Sequence, residues 1–221
     1  MRHTNSAPVR YSIEAPFRFP TLLAVALIFS TVLFLLENRA TLYNIQNPNW
    51  VVTMAALILL SPLFTALVIV LVGGRRAGKR IDLLKATGHS ISSYTQLVIG
   101  EIVANLIVLA GSLFFVVPGI YLGLRLVFYK QAILFGGLSA SEGMRQSFAV
   151  TVGWRVPLRI LVLLSPFYAL PIGAGYLLAA YDFGLLGNLI TVAVSTLSFA
   201  WTNCLVTVIY INLSGVPGDG S

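Results

Sequence analysis

The chain has 221 residues, 57% of them hydrophobic and only 10% charged, whereas an average soluble domain carries about 25% charged residues. Its mean hydropathy is +0.90, and almost the whole length lies in apolar runs, which leaves no room for a soluble catalytic domain. The net charge of +7 comes from 14 basic against 7 acidic residues, but the bases gather in alternate joints between apolar runs and form no nucleic-acid-binding surface.

A polar segment, 1–18, comes first. The run 19–36 that follows has a long basic leader and no small-x-small site near Glu37-Asn38-Arg39, so it reads as a retained span and not a cleaved signal peptide. Further apolar runs occupy 50–72, 97–117, 120–135, 156–179 and 185–211. Runs of about 20 apolar residues are long enough to cross a bilayer, although 120–135 is short. The expected fold is all-α: a polytopic bundle of about six transmembrane helices over 19–211, with a tail at 212–221.

The joints divide by charge. Arg2, Arg10 and Arg18, then Arg75, Arg76, Lys79, Arg80 and Lys85, then Arg145, Arg155 and Arg159 fall on one side; Arg39 beside Glu37, and Asp182, fall on the other. The positive-inside rule places both termini in the cytoplasm with six crossings. Tyr43, Trp50, Tyr121 and Tyr181 then fall near the outer boundary, and Tyr94, Trp154 and Tyr210 near the inner one.

The joint after the second run, Gly73-Gly74-Arg75-Arg76-Ala77-Gly78-Lys79-Arg80, nearly spells a phosphate-binding loop. Arg80 stands where a magnesium-binding hydroxyl is needed, and an apolar helix precedes it in place of a strand. Arg75, Arg76, Lys79 and Arg80 are better read as contacts for anionic lipid headgroups, worth about 1 kcal/mol per basic residue.

The third run repeats small residues at Gly100, Ala104 and Gly111, with Glu101, Asn105 and Ser112 beside them. That face should point into the bundle, since a carboxylate facing lipid costs about 3 kcal/mol. A hairpin turning at Pro118-Gly119 brings Lys130 of the fourth run into the same half as Glu101, about six residues or roughly 9 Å apart in depth. Arg125 lies near the outer boundary, within snorkelling reach of headgroups. Glu101, Asn105, Ser112, Arg125 and Lys130 are therefore the candidate intramembrane polar site; a structural ion pair and a solute pathway both fit them.

Ser139 and Glu142 have capping-box spacing. The helix they start, with Met144 and Phe148 on one face and Glu142, Arg145 and Gln146 on others, is expected along the cytoplasmic surface between spans four and five. Ser165, Ala169 and Gly173 in the fifth run, and Thr191, Ser195, Ser198 and Thr202 in the sixth, mark packing stripes; Pro157, Pro166 and Pro171 should bend the fifth. Cys204 is a lone cysteine in the last run and reads as a small hydrophobe. His3 and His89 are far apart and no cysteine cluster exists, so neither a metal site nor a cofactor is expected.

The residues Val117-Pro118-Gly119-Ile120-Tyr121-Leu122, Arg125, Gln131-Ala132-Ile133-Leu134 and Ser141-Glu142-Gly143-Met144-Arg145-Gln146-Ser147-Phe148 resemble a bacterial family of uncharacterised six-span inner-membrane proteins. That family is related to the membrane domain fused to some glycerophosphodiester phosphodiesterases. Gly143, Gln146 and Phe148 replace the family's usual Ala, basic residue and Trp. The resemblance implies a polytopic inner-membrane protein and supplies no catalytic residue, because the phosphodiesterase site belongs to a separate soluble domain.

The expected function is therefore non-enzymatic: an integral membrane protein that interacts with lipids or proteins and supports envelope integrity. Its partners would be anionic lipids on the cytoplasmic face, and a membrane protein or a second copy. The alternative is a transporter or channel subunit using the polar face of the third and fourth spans.

Overall fold

The computed structural model describes residues 14–15, 17, 19–42, 49–79, 81–181 and 184–215, with the side chains of all of these except 33–42, 49–57, 114, 179–181 and 185. All regular structure among them is helical: α1 (Pro20–Leu42), α2 (Asn49–Arg76), α3 (Leu83–Ser92), α4 (Tyr94–Phe114), α5 (Val116–Leu126), α6 (Tyr129–Gly136), α7 (Ala140–Val150), α8 (Arg155–Tyr181) and α9 (Gly184–Ser214).

Four stretches are long and apolar enough to cross a membrane: Ile58–Arg76 in α2, Tyr94–Leu113 in α4, Arg155–Leu178 in α8 and Leu186–Ser214 in α9. The described apolar part of α1, Pro20–Val32, is shorter. The expected fourth span is two helices, broken at Val127-Phe128. At 1.5 Å per residue α5 and α6 reach roughly 16 and 12 Å, each well short of the ~30 Å hydrocarbon core.

Helices α1, α2 and α9 pack together. Leu22, Ala26, Val68, Ile69, Ala200 and Leu205 are buried there, and the Phe29 ring meets Phe64 and Phe199 at 5.1 and 4.6 Å. The start of α1 and the ends of α2 and α9 share one end of the bundle, where the Arg75 guanidinium lies 4.8 Å from the Phe19 ring centre and Arg76 meets Asn212 Oδ1 at 3.5 Å.

The joint after α2 is more than a surface loop. Gly78 takes the left-handed φ of +75° and releases the chain from α2. Asp82 caps α3, which packs back along α2 and buries Ala86 and Ser90. Tyr94, expected at the inner boundary, instead donates to the Leu59 carbonyl at 2.7 Å, roughly 25 Å along α2 from Arg76.

Helices α4 and α5 form a tight hairpin whose corner is Phe115, in extended geometry (φ −162°, ψ 148°). The turn expected at Pro118-Gly119 therefore comes three residues early. Pro118 falls in the first turn of α5, where a missing N–H costs no helical bond. Gly119 serves close approach: a Cβ there would lie 3.0 Å from Ser112 Cα and would overlap the Ser112 hydroxyl.

The capping box at Ser139 forms as expected. The Ser139 hydroxyl accepts from the Glu142 N–H, and the Glu142 carboxylate accepts from the Ser139 N–H at 3.0 Å. Helix α7 then folds back along α5 and α6, burying Ala140, Gly143, Met144 and Ser147, with Phe148 half-buried and Glu142 and Arg145 exposed. Gly143 allows this, since a Cβ would sit 2.8 Å from Ile133 Cγ1. The fold-back brings Trp154 onto Tyr121, ring centres 4.6 Å apart. These two rings thus share one level and do not mark opposite boundaries.

Pro166 and Pro171 lie inside α8. Pro157, expected to bend it, sits in its first turn, where it interrupts no helical bond.

Candidate functional site

Glu101 and Lys130 do meet. Their Oε2 and Nζ atoms lie 2.6 Å apart, with the side chains 19% and 17% exposed. Gly100 makes the approach feasible: Tyr129 lies so close that a Cβ at Gly100 would come 2.8 Å from its ring. The Tyr129 hydroxyl also donates to Glu101, and the Asn105 side-chain amide joins the same carboxylate. Three partners from α4 and α6 therefore hold one carboxylate.

This cluster forms part of the wall of a partly open cavity of about 500 Å³. Ser61 and Thr65 of α2, Gly123 of α5, Gln131 of α6, Phe167, Tyr168 and Pro171 of α8, and Ser195, Ser198, Thr202 and Asn203 of α9 line the rest. Helices α4 and α8 flank it and scarcely touch each other. Both are sparsely buried and expose apolar side chains such as Leu106, Leu109, Leu170 and Ile172.

Two residues of this wall each carry a buried polar atom without a hydrogen-bond partner, Gln131 Oε1 and Ser198 Oγ, both beneath the cavity surface. Gln131 is 2% exposed and Ser198 6%. A buried polar group without a partner costs roughly 1–3 kcal/mol, so such groups call for an explanation.

The other expected site residues lie elsewhere. Ser112 bonds the Val108 carbonyl at the hairpin and is not part of the cavity wall. Arg125, expected to snorkel, turns inward and ties α5 to α7, donating to Phe148 O at 2.8 Å, Tyr121 Oη at 3.0 Å and Thr151 Oγ1 at 3.2 Å. Its guanidinium also lies 4.9 Å from the Phe148 ring centre. Internal acceptors outcompete lipid here because the fold-back of α7 adds Phe148 O and Thr151 Oγ1 to Tyr121, one turn away on α5.

The hydroxyl stripe of α9 enters the cavity through Ser195, Ser198 and Thr202, while Thr191 bonds its own helix at Gly187 O. Ser165, Ala169 and Gly173 of α8 are exposed and make no packing seam in this structure. Arg75 is half-buried on Phe19, whereas Arg76, Lys79 and Arg145 are exposed; Arg80 lies outside the described residues. Lys79 follows a helix C-terminus, where free carbonyls and not N–H groups point outward, so a phosphate cradle does not form there. Among the described residues no three His, Cys, Asp or Glu side chains come together.

Sequence reasoning named Gln131 only within the stretch that carries the resemblance, as no site residue, and did not single out Tyr129, Ser61 or Thr65. The available signal was a Gln next to Lys130 in an apolar run.

No protein-family profile, curated protein or solved structure matches the chain.

Proposed function

We propose that this chain is a non-enzymatic integral membrane protein of a bacterial inner membrane that binds a lipid within its bundle and thereby supports the envelope. The observation that carries the reading is the partly open cavity, lined by polar and apolar side chains and flanked by α4 and α8. In a bilayer a polar headgroup enters such a cavity while its acyl chains stay outside, along the apolar flanks of the same two helices. Both termini lie in the cytoplasm in this reading. The shared end of α1, α2 and α9 carries Arg75, Arg76 and Lys79, and basic residues favour the cytoplasmic, anionic leaflet.

Extraction of the full chain into native-lipid nanodiscs, followed by native mass spectrometry, tests this. A retained lipid that is lost in Ser195→Phe, which fills the cavity, supports the reading, as does its survival when Arg75, Arg76 and Lys79 are neutralised. Retention indifferent to Ser195→Phe refutes it.

A second reading, transport of a small solute, is favoured by the Glu101–Lys130 pair in the cavity wall. It requires that Glu101→Gln abolish solute flux in proteoliposomes, whereas a lipid-binding protein shows no such flux.

A further inference from the structure

Charge, hydrogen-bonding capacity and aromatic surface all bear on what kind of headgroup the cavity takes. Its cation, Lys130, is already neutralised by Glu101 at 2.6 Å, and no other Lys or Arg lines the wall. A phosphate would therefore find no spare positive charge there and would meet the Glu101 carboxylate at close range.

The two unpartnered atoms narrow the choice further. Gln131 Oε1 is an acceptor and needs a donor, and Ser198 Oγ both donates and accepts. An ionised phosphate diester supplies acceptors alone, and a quaternary ammonium supplies no donor. A hydroxyl supplies both. The remaining polar wall consists of neutral hydroxyls and amides, Ser61, Thr65, Ser195, Thr202, Asn105 and Asn203, together with the aromatic side chains Phe167, Tyr168 and Phe199. Uncharged donors and acceptors beside aromatic faces suit a polyhydroxylated ring, which is polar at its edge and apolar on its C–H faces.

Building on the lipid-binding reading, we propose that the cavity selects an uncharged, polyhydroxylated group, a sugar or other polyol, and that the Gln131 and Ser198 side chains turn their unpartnered atoms to its hydroxyls on binding. The group is either a glycolipid headgroup or a free solute. The chemistry is the same in both, and the difference lies in whether acyl chains add affinity through the gap between α4 and α8.

The test uses the full chain, delipidated in detergent, titrated with four probes and followed by native mass spectrometry. The probes are dioctanoyl glucosylglycerol, dioctanoyl phosphatidic acid, dioctanoyl phosphatidylcholine and free glucose. The glycolipid should bind at least ten-fold more tightly than either phospholipid. Gln131→Met and Ser198→Ala should each weaken it at least five-fold, while thermal unfolding stays equal to wild type or rises, because each removes an unpaired buried polar group. Phospholipid binding as tight as glycolipid binding, or unchanged affinity in both variants, overturns the headgroup assignment and leaves the lipid-binding reading standing. Glucose binding as tight as glycolipid binding, with the same sensitivity to both variants, supports the polyol site and overturns the lipid reading. Absence of binding by both glucose and the glycolipid overturns the polyol assignment, with Ser195→Phe in nanodiscs then deciding the lipid reading separately.

Discussion

Replacing Lys130 with Met isolates the energetics of the polar cluster. The pair at 2.6 Å has a Coulombic attraction of about 6 kcal/mol at an effective dielectric near 20. Desolvating the two ions offsets most of this, so the informative quantity is the penalty for leaving one charge alone, typically ~3–5 kcal/mol for a buried pair. Each side chain keeps close to a fifth of its exposure, and Tyr129 and Asn105 still hold the carboxylate. Lys130→Met should therefore cost about 2–3 kcal/mol, below the full penalty of an isolated buried ion. Glu101→Gln in the Lys130→Met background should restore most of that, to within about 1 kcal/mol of wild type, because no unpaired charge remains. Equilibrium unfolding in mixed detergent micelles, run as a double-mutant cycle, measures both. A loss under ~0.5 kcal/mol in the single variant, or additivity of the two changes, would refute the argument.

Arg125→Leu removes three hydrogen bonds, two of which tie α5 to the end of α7 through Phe148 and Thr151; it should cost about 2–4 kcal/mol and raise hydrogen exchange across 140–150. Arg125→Lys should recover part of this, since one ammonium cannot span all three acceptors. Gly119→Ala should destabilise the α4–α5 hairpin by about 1–3 kcal/mol through its clash with Ser112. By contrast Gly88→Ala, with open space around it, should stabilise α3 by about 0.5–1 kcal/mol; thermal unfolding distinguishes the signs. The Ser139 hydroxyl and N–H hold the Glu142 carboxyl below its usual range. A depressed folded-state pKa means its contribution is complete above the unfolded carboxylate value of about 4.3 and fades as pH falls through the folded one. Exchange of the α7 amides should therefore quicken on acidification below that value, and Ser139→Ala should flatten the dependence.

Composition and periodicity were sufficient to identify helices and apolar segments, because span length and hydropathy are local properties of the chain. The Ser139–Glu142 cap was legible for the same reason: it is complete within four residues. Glu101 and Lys130 were readable as lying in the same half, but a turn at Pro118-Gly119 left them roughly 9 Å apart in depth; the corner at Phe115 brings them level. Small residues at Gly100, Gly111 and Gly119 gave the matching packing surface.

Tertiary structure decided the rest. Arg125 looked like a snorkelling terminus until α7 folded back and brought Phe148 O and Thr151 to it. That same reversal set Trp154 on Tyr121, and the return of α3 along α2 moved Tyr94 away from the basic end. Gln131 stayed hidden in an apolar run because its significance depends on what is missing around it. Whether a buried polar atom has a partner is a property of six helices packed together, and no sequence window spans them.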